Sequence, residues 1–198
     1  MKEALDEYGV VHGRFQPLHN GHVHYILRGF EKCSVLIIGI TNPDPWQIQH
    51  EDSAPERDLP SHNPFTFFER LTMIQKTLIN EKRIDPSRFL IIPLPIHNTD
   101  RWRYYLPDCA VQYINVTTEW DRIKMFRMRS SGFKVKQIGT ERYSGISGAQ
   151  IRESMVKGDD WKSLVPATVA SIIISLGGVE RVQKSVGLDN RPIEGINE

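Results

Sequence analysis

Five short runs of β-branched and apolar residues, separated by stretches with helical spacing, constrain this chain more than any other feature. The runs fall at residues 8–12, 34–40, 89–93, 110–117 and 134–138. Most are of strand length and largely apolar, as strands buried on both faces of a parallel sheet are. Between the first two, residues 21–31 carry His22, Tyr25, Ile26 and Phe30 at helical spacing. A second helix opens with a Thr66-x-x-Glu69 capping box and runs through Leu71, Ile74, Leu78 and Ile79. Further helices are expected over 119–129, over 149–157 up to Gly158, and over 166–176, the last opening at a proline and ending at Gly177 and Gly178. This alternation predicts an α/β fold: a doubly wound, mainly parallel five-stranded sheet with helices on both faces and a C-terminal helical segment. Sheets of that kind bind ligands beyond the carboxyl ends of their strands.

The bulk properties narrow the function classes. With 198 residues, 39% hydrophobic and 25% charged, the chain suits one globular domain, expected over 1–182, with a polar tail at 183–198. A net charge of +1 and the lack of a basic stripe argue against a nucleic-acid partner. The acidic N-terminus has no signal-peptide apolar stretch, and runs such as 35–40 and 169–176 are too short to span a bilayer. A cytoplasmic protein without a membrane partner is expected, with Cys33 and Cys109 as buried free thiols. Residues 42–63, with Pro43, Pro45, Pro55 and Pro60, read as a long active-site loop. No P-loop pattern and no Gly-x-Gly-x-x-Gly after the first strand occurs, which disfavours kinase, ATPase and dinucleotide redox chemistry.

Two segments carry chemistry. The first, Gly13-Arg14-Phe15-Gln16-Pro17-Leu18-His19-Asn20-Gly21-His22, sits where the first strand ends and a helix begins. His19 and His22 are three apart, so both rings reach one side of the first helical turn. A helix N-terminus offers unpaired N–H groups and partial positive charge, Gly21 lets a phosphate approach the backbone, and Arg14 can grip phosphate oxygens. Zinc is disfavoured, because no cysteine or carboxylate lies at ligand spacing nearby. His12 and His24 read as ordinary strand-end and helix residues. The second segment, 143–152, places Ser147 as the cap of a helix with Arg152 in its first turns. Taken alone, it favours a plain capped helix over an anion site.

Together, His19-Asn20-Gly21-His22 after Gly13-Arg14-Phe15-Gln16-Pro17, and Ile146-Ser147 with Ile151-Arg152, resemble the two signatures of the HxGH nucleotidyltransferase superfamily. Within it the chain is similar to archaeal-type nicotinamide-mononucleotide adenylyltransferases. That likeness is carried by Asn63-Pro64-Phe65-Thr66, Glu69-Arg70, Ile91-Ile92-Pro93, Asn98, Arg101-Trp102, residues 160–166 and residues 177–181. The resemblance implies a Rossmann-like nucleotidyltransferase fold and transfer of AMP from ATP to nicotinamide mononucleotide with release of pyrophosphate. It implies His19, His22 and Arg152 as catalytic residues, and Gly13, Arg14, Phe15, Gln16, Gly21, Ser147 and Ile151 at the nucleotide. Asn98, Trp102, Glu119 and Trp120 are implied at the acceptor, with Trp102 stacking on the nicotinamide ring or, alternatively, packing in the core. Mg²⁺ is implied on the polyphosphate without a dedicated protein metal site, and a homo-oligomer is implied. Three departures stand out: the long 42–63 loop, Thr117-Thr118-Glu119-Trp120 where the family has Ser-Gly-Asn-Pro, and the form of the second signature. They keep open an alternative: adenylyl or cytidylyl transfer to another small phosphorylated or phosphonate acceptor.

Overall fold

The structure is a computed structural model that describes residues 4–45, 48, 50, 59–139 and 145–186, apart from the Trp120 side chain. Strands β1 (Asp6–Gly13), β2 (Cys33–Ile40), β3 (Phe89–Pro93), β4 (Val111–Asn115) and β5 (Lys134–Gly139) form one sheet in the order β3-β2-β1-β4-β5, parallel throughout. From β1 the chain winds one way to β2 and β3, then returns to the other side of β1 for β4 and β5. Right-handed crossovers therefore put helices α1 (Asn20–Phe30) and α2 (Phe67–Lys76) on one face and α3 (Glu119–Ser130) on the other. The doubly wound architecture read from the strand–helix alternation is the one observed.

Alternation along the strands splits the core in two. Val11, Leu36, Ile38 and Val111 meet Ile26, Ile74, Ile151 and Ile173 on the α1 face, while Val10, Ile37 and Ile114 meet Trp102, Leu106 and Met128 on the α3 face. The central strand admits no side chain at Gly9, where a Cβ would lie 2.3 Å from the Tyr113 ring. The Thr66/Glu69 capping box forms as expected, and the helix it opens ends in a π-helical turn, Thr77–Glu81. Beyond β5, α4 (Gly148–Lys157) stops at Gly158 in the left-handed conformation, and α5 (Ala167–Ser175) and α6 (Gly178–Val186) add the C-terminal helical layer.

Two readings are corrected in detail, and a third falls largely outside the described residues. The tail expected from 183 begins later, because residues 183–186 belong to α6, where Val182 and Ser185 are buried; residues 187–198 lie outside those described. Cys33 is a buried free thiol, but Cys109 is exposed. Much of the 42–63 loop, namely 46, 47, 49 and 51–58, also lies outside the described residues. No described helix is long and apolar enough to cross a membrane.

Candidate active site

A cleft of about 390 Å³ opens at the carboxyl ends of β1 and β4, the point where the sheet's winding reverses. In open α/β sheets that is where ligands bind, because the diverging loops leave a crevice there. Gly13, Arg14, Phe15, Gln16, His19, Gly21, His22, Ser147 and Arg152 all line it. Two segments 125 residues apart in sequence (22 to 147) thus face one cavity, each through the amino end of a helix.

His19 is the N-cap of α1; its Nδ1 accepts a hydrogen bond from the His22 amide at 3.2 Å. The two imidazoles stack with ring centroids 3.6 Å apart, and Phe15 meets His22 edge-on at 4.9 Å. Desolvation, then the charges of His19 and Arg14, hold the His22 pKa well below its ordinary value; an interaction with the Pro17 carbonyl opposes them. At neutral pH His22 is therefore an uncharged imidazole. Phe15 and Asn42, both on the cleft, have φ of 52° and 49°. Left-handed backbone at a buried aromatic residue is strained and persists only where its surroundings over-determine it.

Those surroundings centre on two buried arginines. Arg70, 1% exposed, donates to the carbonyls of Arg14 and Thr41 at 2.8 Å and of Asn42 at 2.7 Å, clamping the loop after β1 to the loop after β2. Burial lowers its pKa to about 10, with Glu69 opposing, so it stays charged at neutral pH. Arg152, 5% exposed, donates to the Gln16 carbonyl at 2.7 Å and so draws the start of α4 onto the first motif. Gly148 allows that approach, since a Cβ there would lie 2.8 Å from the same carbonyl oxygen. Ser147 caps α4 by accepting from the Gln150 amide at 3.2 Å.

Several assigned residues are placed differently. The Gln16 side chain is committed to the Phe65 backbone, donating to its carbonyl at 2.8 Å and accepting from its amide at 2.9 Å, so its role is to brace the loop. Ile151 is fully buried in the α1-face core. Trp102 is also fully buried: its indole N–H donates to the Pro95 carbonyl at 2.8 Å, and His12 and Phe133 pack on it at 5.6 and 5.7 Å. The core-packing alternative is what the structure displays, with no ring face left for a nicotinamide. Asn98 precedes the 3₁₀ turn Thr99–Tyr104 and is not among the residues lining the cleft. Glu119 points to solvent and pairs with Arg122 at 2.9 Å. The Trp120 side chain lies outside the described residues.

The carboxylate that does face the cleft is Asp121, two positions on. Its Oδ2 accepts from the amides and hydroxyls of both Thr117 and Thr118, and its Oδ1 pairs with Lys124 at 2.9 Å. Burial raises its pKa, but Lys124 and these hydrogen bonds outweigh burial and hold the carboxyl well below the usual range. His12, Thr41, His97 and Asn115 line the same cleft and were missed or passed over in sequence. The one sequence signal was Thr118-x-x-Asp121, a capping box that marks a helix start but says nothing of a cleft.

Comparison with known proteins adds to this geometry. A family model described as cytidylyltransferase-like matches residues 10–154. A phosphonoformate cytidylyltransferase of Streptomyces viridochromogenes is 39% identical over 181 residues, covering 91% of this chain and 98% of that one. A nicotinamide-nucleotide adenylyltransferase of Thermococcus kodakarensis is 32% identical over 176 residues, 88% of this chain and 86% of that one. A solved bifunctional NMN adenylyltransferase/ADP ribose pyrophosphatase from Francisella tularensis superposes with a TM-score of 0.68 at 19% identity, a likeness of fold. It covers 94% of this chain, which spans about half (54%) of that longer one.

Proposed function

The chain belongs to the cytidylyltransferase-like family and is a nucleotidyltransferase, and from that premise we propose that it transfers a nucleoside monophosphate to a small acceptor carrying a phosphate or phosphonate, releasing pyrophosphate. The observation that carries this reading is the convergence of the α1 and α4 amino ends, with His19, His22, Arg14, Ser147 and Arg152, on one cleft. Helix amino ends attract anions through free N–H groups and aligned dipoles, and a triphosphate is the anion long enough to engage both.

A phosphate monoester has a second pKa near 6, so the acceptor is mostly dianionic at neutral pH and needs no strong base. One of its oxygens forms a bond to the α-phosphorus as the bond from that phosphorus to the bridging oxygen breaks, and pyrophosphate leaves with the electron pair. Catalysis then rests on alignment and on stabilising charge at the transferred and leaving groups. His19 orients the triphosphate, His22 donates to the α-phosphate, and Arg14 and Arg152 hold the distal phosphates. The Ser147 hydroxyl, which accepts from Gln150, still has its proton to donate. Among the described residues no group of three or more His, Cys, Asp or Glu could hold a metal ion. Mg²⁺ would instead come with the triphosphate, held by its oxygens and water, and would offset phosphate charge. The setting is a cytoplasmic, homo-oligomeric enzyme.

For donor and acceptor, the leading reading is AMP from ATP to nicotinamide mononucleotide, supported by relatives of that name at 32% and 33% identity. A second reading, a cytidylyl group to a small phosphonate, is favoured by the 39% relative and by the burial of Trp102, whose ring offers no open face to a nicotinamide. Pyrophosphate release, measured with ATP and CTP against nicotinamide mononucleotide and phosphonoformate, separates the two. Release from no pair would sink nucleotidyl transfer itself.

A further inference from the structure

The α3 side of the cleft holds polar groups that the proposed triphosphate cradle does not include. His12, next to last in β1, is 5% exposed and lines the cleft, yet neither of its nitrogens has a hydrogen-bond partner among the described residues. Buried polar atoms are nearly always paired, and an exception next to a cavity points to a ligand that completes it. Lys124 lines the same side, its ammonium tied to Asp121 at 2.9 Å with the two side chains only 15% and 14% exposed. The other Asp121 oxygen takes four donors from Thr117 and Thr118. Its negative charge is thereby spread into the start of α3, and the tether fixes where the cation sits. Lys124 is near enough to His12 that its charge adds to burial, against Asp121, in pushing the imidazole down to about 3. A neutral imidazole keeps one N–H donor and one acceptor nitrogen.

Resting on the nucleotidyl-transfer reading, we propose that His12 and Lys124, the latter seated by Asp121, form the acceptor subsite and receive an oxyanion of the acceptor, opposite the triphosphate cradle. The subsite selects acid-bearing acceptors: Lys124 supplies the charge and His12 a directed hydrogen bond. An apolar head would leave the buried His12 nitrogens without a partner, which is the basis of discrimination.

The test is steady-state pyrophosphate release with phosphonoformate plus CTP and with nicotinamide mononucleotide plus ATP, on the wild type, Lys124→Met, Lys124→Arg and His12→Leu. Calorimetric acceptor binding gives the same comparison if turnover is absent. Lys124→Met is expected to raise acceptor KM tenfold or more, with the triphosphate KM changed less than threefold. Lys124→Arg recovers most of the loss, and His12→Leu raises acceptor KM by about threefold or more. Loss on both acceptors puts the reacting phosphorus oxyanion at Lys124; loss on phosphonoformate alone puts its carboxylate there; either outcome supports the subsite. Acceptor KM unchanged in Lys124→Met overturns it and leaves nucleotidyl transfer standing. Recovery in the double variant Asp121→Asn/Lys124→Met also overturns it, because the defect then came from the unpaired carboxylate. A wild-type chain that neither turns over nor binds either acceptor overturns both proposals.

Discussion

One side of the cleft is made from two unbroken stretches, 13–22 and 146–152, and each contributes a helix amino end. The rest of the lining includes His12, His97, Asn115, Asp121 and Lys124, which come from two strand ends, a loop and α3. In the first, local backbone geometry places the functional groups: the His19 cap positions its own ring against His22, and the Ser147 cap starts the helix that carries Arg152. In the second, no residue is placed by its sequence neighbours alone, Asp121 and Lys124 excepted. The difference teaches that the side proposed for the triphosphate is a pair of contiguous motifs, whereas the side proposed for the acceptor is a product of the packed fold.

Four changes sharpen or break that contrast. The largest effect is expected from His22→Ala, a loss of about 10²–10³ in kcat with the melting temperature nearly kept, since one aimed donor to a charged transition state is worth that much. Near-normal turnover in a folded His22→Ala protein would break the assignment of the triphosphate side. Arg70→Met comes next. It strips a guanidinium from the buried carbonyls of Arg14, Thr41 and Asn42, with an expected cost of roughly 3 kcal/mol in urea unfolding. The triphosphate KM should rise with it, because the strained Phe15 and Asn42 backbones lose their clamp.

A pH effect of similar size belongs to the acceptor side. His12 is pushed from 6.5 to about 3, so between those values the unfolded chain binds a proton that the folded chain does not. Stability is therefore complete above about pH 6.5 and falls as pH drops, by roughly 3 kcal/mol between pH 7 and pH 4 from this residue. His22, also lowered, adds a loss of the same sign. Unfolding free energies measured across that range should show a shallower slope in His12→Leu, and an unchanged slope would remove His12 from the balance. The smallest effect is expected at Glu119→Gln, where an exposed ion pair is lost: below about 0.5 kcal/mol in stability and within twofold in kcat/KM. A large defect there would return the acceptor-side carboxylate to residue 119.

Much of the fold was legible because its strands are buried on both faces and its helices carry caps. Val10–Val11 and Ile37–Ile38 serve opposite cores, which is why those strands read as continuous apolar runs. Thr66 with Glu69, Ser147, and Gly158 marked helix ends that the structure keeps. Less was legible at the site. Gln16 and Ile151 belong to signature segments, yet one braces Phe65 and the other fills the core, because a contiguous motif also contains the residues that hold it in place. The placement of Trp102 and Glu119 was not legible for another reason: which face of an indole is covered, and which of two nearby carboxylates turns inward, depend on distant packing partners.

The order of apolar runs and breakers determined the α/β alternation, and the segments around His19, His22, Ser147 and Arg152 determined two helix amino ends, the basis of the proposed phosphate site. These are local properties, set by short-range sterics, hydrogen bonding and side-chain period. Only the tertiary structure decided that the winding reverses beside β1, that Arg152 reaches the Gln16 carbonyl, and that His12 covers Trp102 while sharing a cleft with Lys124. Such contacts join residues far apart in the chain, and their energies come from burial and pairing that exist only once the two faces of the sheet are packed.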